Sequence, residues 1–124
     1  MPRVDHMAEP ARSLRDLSKS LDNSIPADGQ LLTWIRVTKV AEEAGEVIDA
    51  LNGVEGTNPR KGVTHTWDDV GKELLDVAAT ALLAWEHLNQ NEGFAMVELA
   101  AHAKALLGRH QEQVDHRRVL RGEA

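Results

Sequence analysis

Glu73-Leu74-Leu75-Asp76-Val77-Ala78-Ala79-Thr80-Ala81-Leu82-Leu83-Ala84-Trp85 decides the fold of this chain. The segment is Leu, Val and Ala with two carboxylates at its start, a composition that favours a packed helix over a strand. Residues three or four apart share a helix face, so Glu73 and Asp76 project together. The apolar remainder predicts a helix largely buried in a core. A buried carboxylate without a partner is costly, and Lys72 is the only cation close by in that helix.

A second acidic pattern, Glu42-Glu43-Ala44-Gly45-Glu46, lies upstream. Leu31, Trp34, Ile35, Thr38, Ala41, Gly45, Ile48 and Leu51 step at helical spacing through it, with Lys39, Glu43, Glu46 and Ala50 on a neighbouring face. An acidic run on a helix is ordinarily a solvated face. A mid-helix glycine, however, costs about 1 kcal/mol relative to Ala, and close approach of another helix at Gly45 would account for it. Packing the two helices together would bring Glu43, Glu46, Glu73 and Asp76 into one cluster. Such a cluster repels itself unless a hard cation fills it, and an all-oxygen donor set suits Mg²⁺, with Mn²⁺ as a substitute. The pattern therefore points to metal-assisted phosphate chemistry.

Outward from these motifs the chain reads as four helices in a single domain, residues 1–124. Pro10 opens a first helix to about Leu21, striped by Leu14, Leu17 and Leu21. Asp28 is the expected N-cap of the second helix, which Asn52 and Gly53 should end. A long loop follows, and Thr66 with Asp69 resembles a capping box opening a third helix to about Asn89. A fourth helix runs from Phe94 to about Asp115. Residues 1–9 and 117–124 are expected to be poorly ordered, with fraying from His116 onward. Trp34, in a chain with so few aromatics, is expected to anchor the core.

The 124 residues carry a net charge of -6, 42% hydrophobic residues, 3% aromatics, no Tyr and no Cys. The absence of Cys excludes disulfides and thiolate metal sites. The acidic balance argues against a nucleic-acid partner, which would require basic patches. Val77 to Trp85 is the longest apolar stretch and is too short for a bilayer, so no membrane is expected. The first residues lack the apolar segment of a signal peptide, and a cytoplasmic location is the expectation.

The segment Lys39-Val40-Ala41-Glu42-Glu43-Ala44-Gly45-Glu46-Val47, followed by Glu73-Leu74-Leu75-Asp76-Val77, resembles the MazG-like nucleotide pyrophosphohydrolases of the all-α NTP pyrophosphatase superfamily. Their motif is EExxE, a variable gap, then ExxD. Asn58-Pro59-Arg60-Lys61-Gly62-Val63-Thr64-His65-Thr66-Trp67 resembles a segment of a small actinobacterial and phage branch. The likeness covers residues 31–83. It implies an all-α four-helix unit that dimerises, or assembles further, into a larger helical bundle. It implies Mg²⁺ on Glu43, Glu46, Glu73 and Asp76, Glu42 orienting or deprotonating water, and Lys39 near phosphate. The implied reaction splits a nucleoside triphosphate between its α and β phosphates, giving a monophosphate and pyrophosphate.

Other residues read both ways. Arg60 and Lys61 are phosphate contacts or an exposed basic turn. Asn58 caps the loop or reads a base edge. His65 contacts substrate or is a surface residue, and Trp67 stacks on a base or packs. His87 faces the acidic groove or stands half-exposed near a helix end. Two alternative functions stay open: a non-catalytic metal-binding module for dimerisation or regulation, and phosphoribosyl-ATP pyrophosphohydrolase. The latter group usually carries a Tyr-His pair after the second acidic motif, and this chain has none there. A di-iron bundle wants Glu-x-x-His pairs, which neither motif has.

Overall fold

The computed structural model describes residues 8–123, which form four α-helices and, among those residues, no strand. They are α1 (Ala8–Ser24), α2 (Gly29–Glu55), α3 (Trp67–Leu88) and α4 (Ala95–Leu120). The all-α, four-helix expectation therefore holds, with revised boundaries. Ala8 and Glu9 already belong to α1, and Pro10 sits in its first turn, where a missing N–H costs nothing. The expectation of poor order at residues 1–7 and 124 lies outside the described residues.

Asp28 precedes α2 with extended backbone, but its side chain makes no capping hydrogen bond. Helix α2 does not stop at Asn52-Gly53. It runs to Glu55 and ends at Gly56, whose φ of 66° is left-handed and whose N–H reaches Asn52 O. Gly53 is a glycine for another reason. A Cβ there would lie 2.0 Å from His65 Nδ1, so the loop can close on the helix only where no side chain intervenes. Thr66 and Asp69 form the capping box of α3: the Thr66 hydroxyl accepts the Asp69 N–H at 3.3 Å, and Asp69 Oδ2 accepts the Thr66 N–H at 2.8 Å. That backbone bond holds the Asp69 carboxyl below its ordinary range.

Phe94, before α4, offers no capping oxygen. The fully buried Glu86 carboxylate of α3 takes that place, accepting the N–H groups of Gly93 at 3.0 Å and Ala95 at 2.7 Å. Helix α4 continues to Leu120, past the expected end at Asp115, and the expected frayed tail is helical through Arg117 and Arg118. Two cations in the last turn suit the helix dipole.

α2 and α3 are antiparallel: Thr33 meets His87 near one end, and Gly53 O accepts the Thr64 N–H near the other. α1 lies against α3. The apolar core is small and consists of Leu32, Ala50, Val70, Leu83, Ala84 and Ala95. Beside it sits a polar knot. Arg36, 4% exposed, donates to Ser18 O at 3.2 Å, Ser18 Oγ at 2.9 Å, Leu83 O at 2.9 Å and the Asp22 carboxylate. Asp22 also accepts from Asn91 Nδ2 at 2.9 Å and pairs with His87 Nδ1 at 2.8 Å, while His87 Nε2 meets Thr33 Oγ1 at 2.7 Å. Burial pushes the Asp22 carboxyl up, but the hydrogen bonds from Asn91 and His87 and the charge of Arg36 outweigh it and hold the group below its usual range. His87 thus does not face the acidic groove; it stands partly exposed in the last turn of α3, as one alternative expected, and is a part of this knot.

Two burial expectations are corrected. Trp34 is 69% exposed and anchors no core among the described residues. α3 is not largely buried, since Leu74, Leu75 and Trp85 are all exposed. Beyond Met96, every residue of α4 is exposed except Gly108. Among the described residues no helix is long and apolar enough to cross a membrane.

Candidate metal centre and loop pocket

The antiparallel pairing of α2 and α3 sets their acidic motifs side by side. Glu43, Glu73 and Asp76 each offer a carboxylate oxygen, and these oxygens lie within 4.8 Å of one another. Glu43 and Glu73 are half-buried and Asp76 is exposed. Glu73 Oε2 is shielded from water and has no hydrogen-bond partner among the described residues. Burial is the largest cause raising the Glu43 carboxyl, followed by the charge of Glu46; Lys39 opposes them and Asp76 adds a smaller push. Burial likewise leads for Glu73, with the adjacent Glu46 carboxyl next and then Asp76 and Glu43. Glu46 stands outside the tight trio yet raises both of its neighbours, so it borders the same space.

These residues fit a hard divalent cation. The donors are all carboxylate oxygens, Lys39 offsets only part of their mutual repulsion, and one oxygen of Glu73 lacks a partner. Opposite oxygens of a six-coordinate shell of ~2.1 Å radius stand about 4.2 Å apart, so side chains spread as far as the 4.8 Å bound would have to draw in slightly on an ion.

The remaining motif residues sit differently. Lys39 Nζ is 3.2 Å from Glu42 and 3.9 Å from Glu43, and the Glu42 hydrogen bond leads in raising its pKa. Glu42 itself is exposed and outside the trio. Gly45 has nothing within 4 Å of where a Cβ would stand, so the expected close helix approach does not occur there; Gly53 is the point of close approach.

The loop between α2 and α3 is internally bonded. Asn58 O accepts the N–H groups of Lys61 at 3.1 Å and Gly62 at 2.9 Å, and Asn58 Oδ1 accepts the Arg60 N–H at 3.0 Å. Asn58 therefore caps the loop. His65 is not a free surface residue, because its ring fills the space over Gly53 and its Nδ1 lies 2.8 Å from Thr64 Oγ1. A pocket of about 390 Å³ opens between this loop and α2, lined among others by Asp49, Asn52, Asn58, Lys61, Thr64 and His65. Arg60 and Trp67 are exposed and do not line it. Sequence reasoning missed Asp49 and Asn52. Their signal was present: Asp49 follows Glu46 by one helical step on the same face. A larger concavity, about 440 Å³, lies between α3 and α4, lined by Ala78, Leu82, Trp85 and Leu99, and holds none of the acidic cluster.

Comparison with family models, curated proteins and solved structures finds no match to this chain.

The raised carboxyls make a stability prediction. A carboxyl raised by folding favours the native state at low pH and penalises it as pH climbs above the ordinary value of 4.5. In chelator, Glu73→Gln is expected to melt several degrees above wild type at pH 7. The gap should close near pH 4. Calorimetry showing Glu73→Gln less stable at pH 7 in chelator would mean that the repulsion is already relieved by solvent.

Proposed function

We propose that this chain is a Mg²⁺-dependent nucleoside triphosphate pyrophosphohydrolase of MazG-like type. The observation that supports this most is the convergence of Glu43, Glu73 and Asp76 from two separate motifs, with one Glu73 oxygen shielded and unpartnered among the described residues. Glu43, Glu73 and Asp76 would hold the ion, with Glu46 at its border. When bound, Mg²⁺ or Mn²⁺ neutralises phosphate charge and acidifies water. Glu42, exposed at the rim and tethered by Lys39, is assigned to orient the attacking water and take its proton. Water adds to the α phosphorus, the α–β bridging bond breaks, and monophosphate and pyrophosphate leave. Little else is needed from the protein beyond position and charge. A panel of ordinary and modified triphosphates, assayed for pyrophosphate release with Mg²⁺, tests the reading; no release from any member overturns it. One observation favours the non-catalytic alternative, namely that Glu42 lies outside the trio. Tight Mg²⁺ binding without turnover would select it.

Arg60 and Lys61 are assigned to attract the phosphates. Arg60→Ala with Lys61→Ala is expected to raise KM several-fold with little change in helix content. The loss should shrink at high salt, where exposed charges are screened within about 8 Å or less. Unchanged kinetics would mark the pair as merely solvated.

The partner of this unit is taken to be a second copy. The chain exposes 9501 Å², against roughly 6600 Å² for a compact monomer of its mass. Leu99, Leu106, Leu107 and Val114 stand exposed along α4, with Leu75 and Trp85 on α3. Sedimentation is expected to give a dimer or larger, and Leu106→Glu with Leu107→Glu to dissociate it. A monomeric wild type would refute this.

A further inference from the structure

We propose that the pocket between the last turns of α2 and the 56–66 loop receives the sugar–base half of the substrate, with Asp49 accepting hydrogen bonds from its neutral donor groups. This rests on the pyrophosphohydrolase reading.

Position is the first support. Asp49 lies about 4.5 Å further along the α2 axis than Glu46, and Asn52 about 4.5 Å beyond that. Each step also turns about 60° round the helix, so the pocket wall begins one step round from Glu46, at the border of the acidic cluster. A triphosphate whose α–β linkage lay at the carboxylates would have its nucleoside within reach of these walls. Chemistry is the second. The lining is polar, with Asn52, Thr57, Asn58 and Thr64 exposed into it, and Asp49 and Lys61 as its charged members. An ionised carboxylate only accepts hydrogen bonds and repels phosphate oxygens. The wall at Asp49 thus suits O–H or N–H groups, not the phosphate end. Form is the third. The close contact of His65 over Gly53, the bond from Thr64 N–H to Gly53 O at 2.9 Å and the bonded Asn58 turn fix the walls before any ligand arrives. The volume of about 390 Å³ falls within the range of small-molecule pockets.

The test uses nucleosides, which carry no phosphate and do not engage the acidic cluster. ¹⁵N-labelled full-length protein is titrated with adenosine, cytidine, guanosine and thymidine, following the amides of Thr57, Gly62 and Thr64. Saturable shifts are expected with at least one nucleoside. Binding should weaken roughly tenfold or more in Asp49→Ala, the loss of a charged hydrogen-bond acceptor, and persist in Asp76→Asn. The donor groups are sugar hydroxyls if 2′,3′-dideoxyadenosine loses the shifts that adenosine gives, and base N–H groups if it keeps them; both bear out the role of Asp49. No saturable shift with any nucleoside, or shifts indifferent to Asp49→Ala, would overturn the proposal. If nucleosides bind but no triphosphate releases pyrophosphate, the hydrolase reading fails and the pocket stands. If triphosphates are cleaved and nucleosides leave these amides unmoved, the pocket alone fails.

Discussion

Asp76→Asn is expected to lower Mg²⁺-dependent pyrophosphate release on the order of 10³-fold while leaving the circular dichroism of the helices unchanged. Asn keeps the size and one oxygen of Asp but removes the charge. Of the three converging oxygens, the one on Asp76 is the most open to solvent, so the substitution disturbs no packing. What it removes is attraction for a divalent cation and hence the neutralisation of phosphate charge on which such chemistry depends. Asp68→Asn, an exposed change in the first turn of the same helix, is the control and should retain turnover. Asp76→Asn turning over within tenfold of wild type at saturating Mg²⁺ and substrate would remove Asp76 from the site.

The largest stability effect is expected at Arg36. Arg36→Leu should cost about 3–5 kcal/mol, the range for removing one partner of a buried charged pair. Asp22, the Ser18 hydroxyl and the Leu83 carbonyl would all lose a donor at once. Against a total of about 5–15 kcal/mol for an ordinary domain, that is a large fraction, and the six small or medium apolar residues of the core leave little reserve. Urea unfolding at pH 7 measures it. Adding Asp22→Leu should recover part of the loss, because an apolar pair leaves fewer buried groups unsatisfied. A loss below about 1 kcal/mol would show that water replaces the guanidinium at little cost.

How much of this was legible in the sequence depended on how local each cause is. The capping box at Thr66 and Asp69 involves residues three apart, and it was read correctly. Of the four carboxylates expected to converge, Glu43, Glu73 and Asp76 do and Glu46 stands outside the trio, because helical periodicity fixes which side chains share a face but not how closely each approaches the neighbouring helix. Gly53 was misread as a helix end. Its role depends on His65, twelve positions later, and nothing in the glycine announces a neighbour. The exposure of Trp34 and Leu75 was misjudged for a different reason: periodicity shows that a face is apolar but not whether this chain or another covers it. The knot of Asp22, Arg36 and His87 left no local trace. Its bond between Asp22 and His87 joins residues 65 apart, and each alone looks like an ordinary polar position on a helix. Asp49 was visible as a neighbour of Glu46, but only the folded loop gives it a pocket to face.

The capping of α4 by Glu86 has a mechanical consequence. α4 has 26 residues, about 39 Å of rod, and among the described residues its hydrogen bonds to other elements lie at its start, to Glu86 and from Trp85 to Glu98. Any tilt of it would pivot at the turn of Gln90, Asn91 and Gly93, each held at positive φ. A tilt of 10° at that pivot would swing the far tip by roughly 7 Å, more than one helical turn. Small changes at Glu86 or Asn91, far from the exposed Leu106 and Leu107, would therefore re-aim the whole arm. If copies of this unit assemble as proposed, variation in that assembly is best sought at the turn, not along the surface that the arm presents.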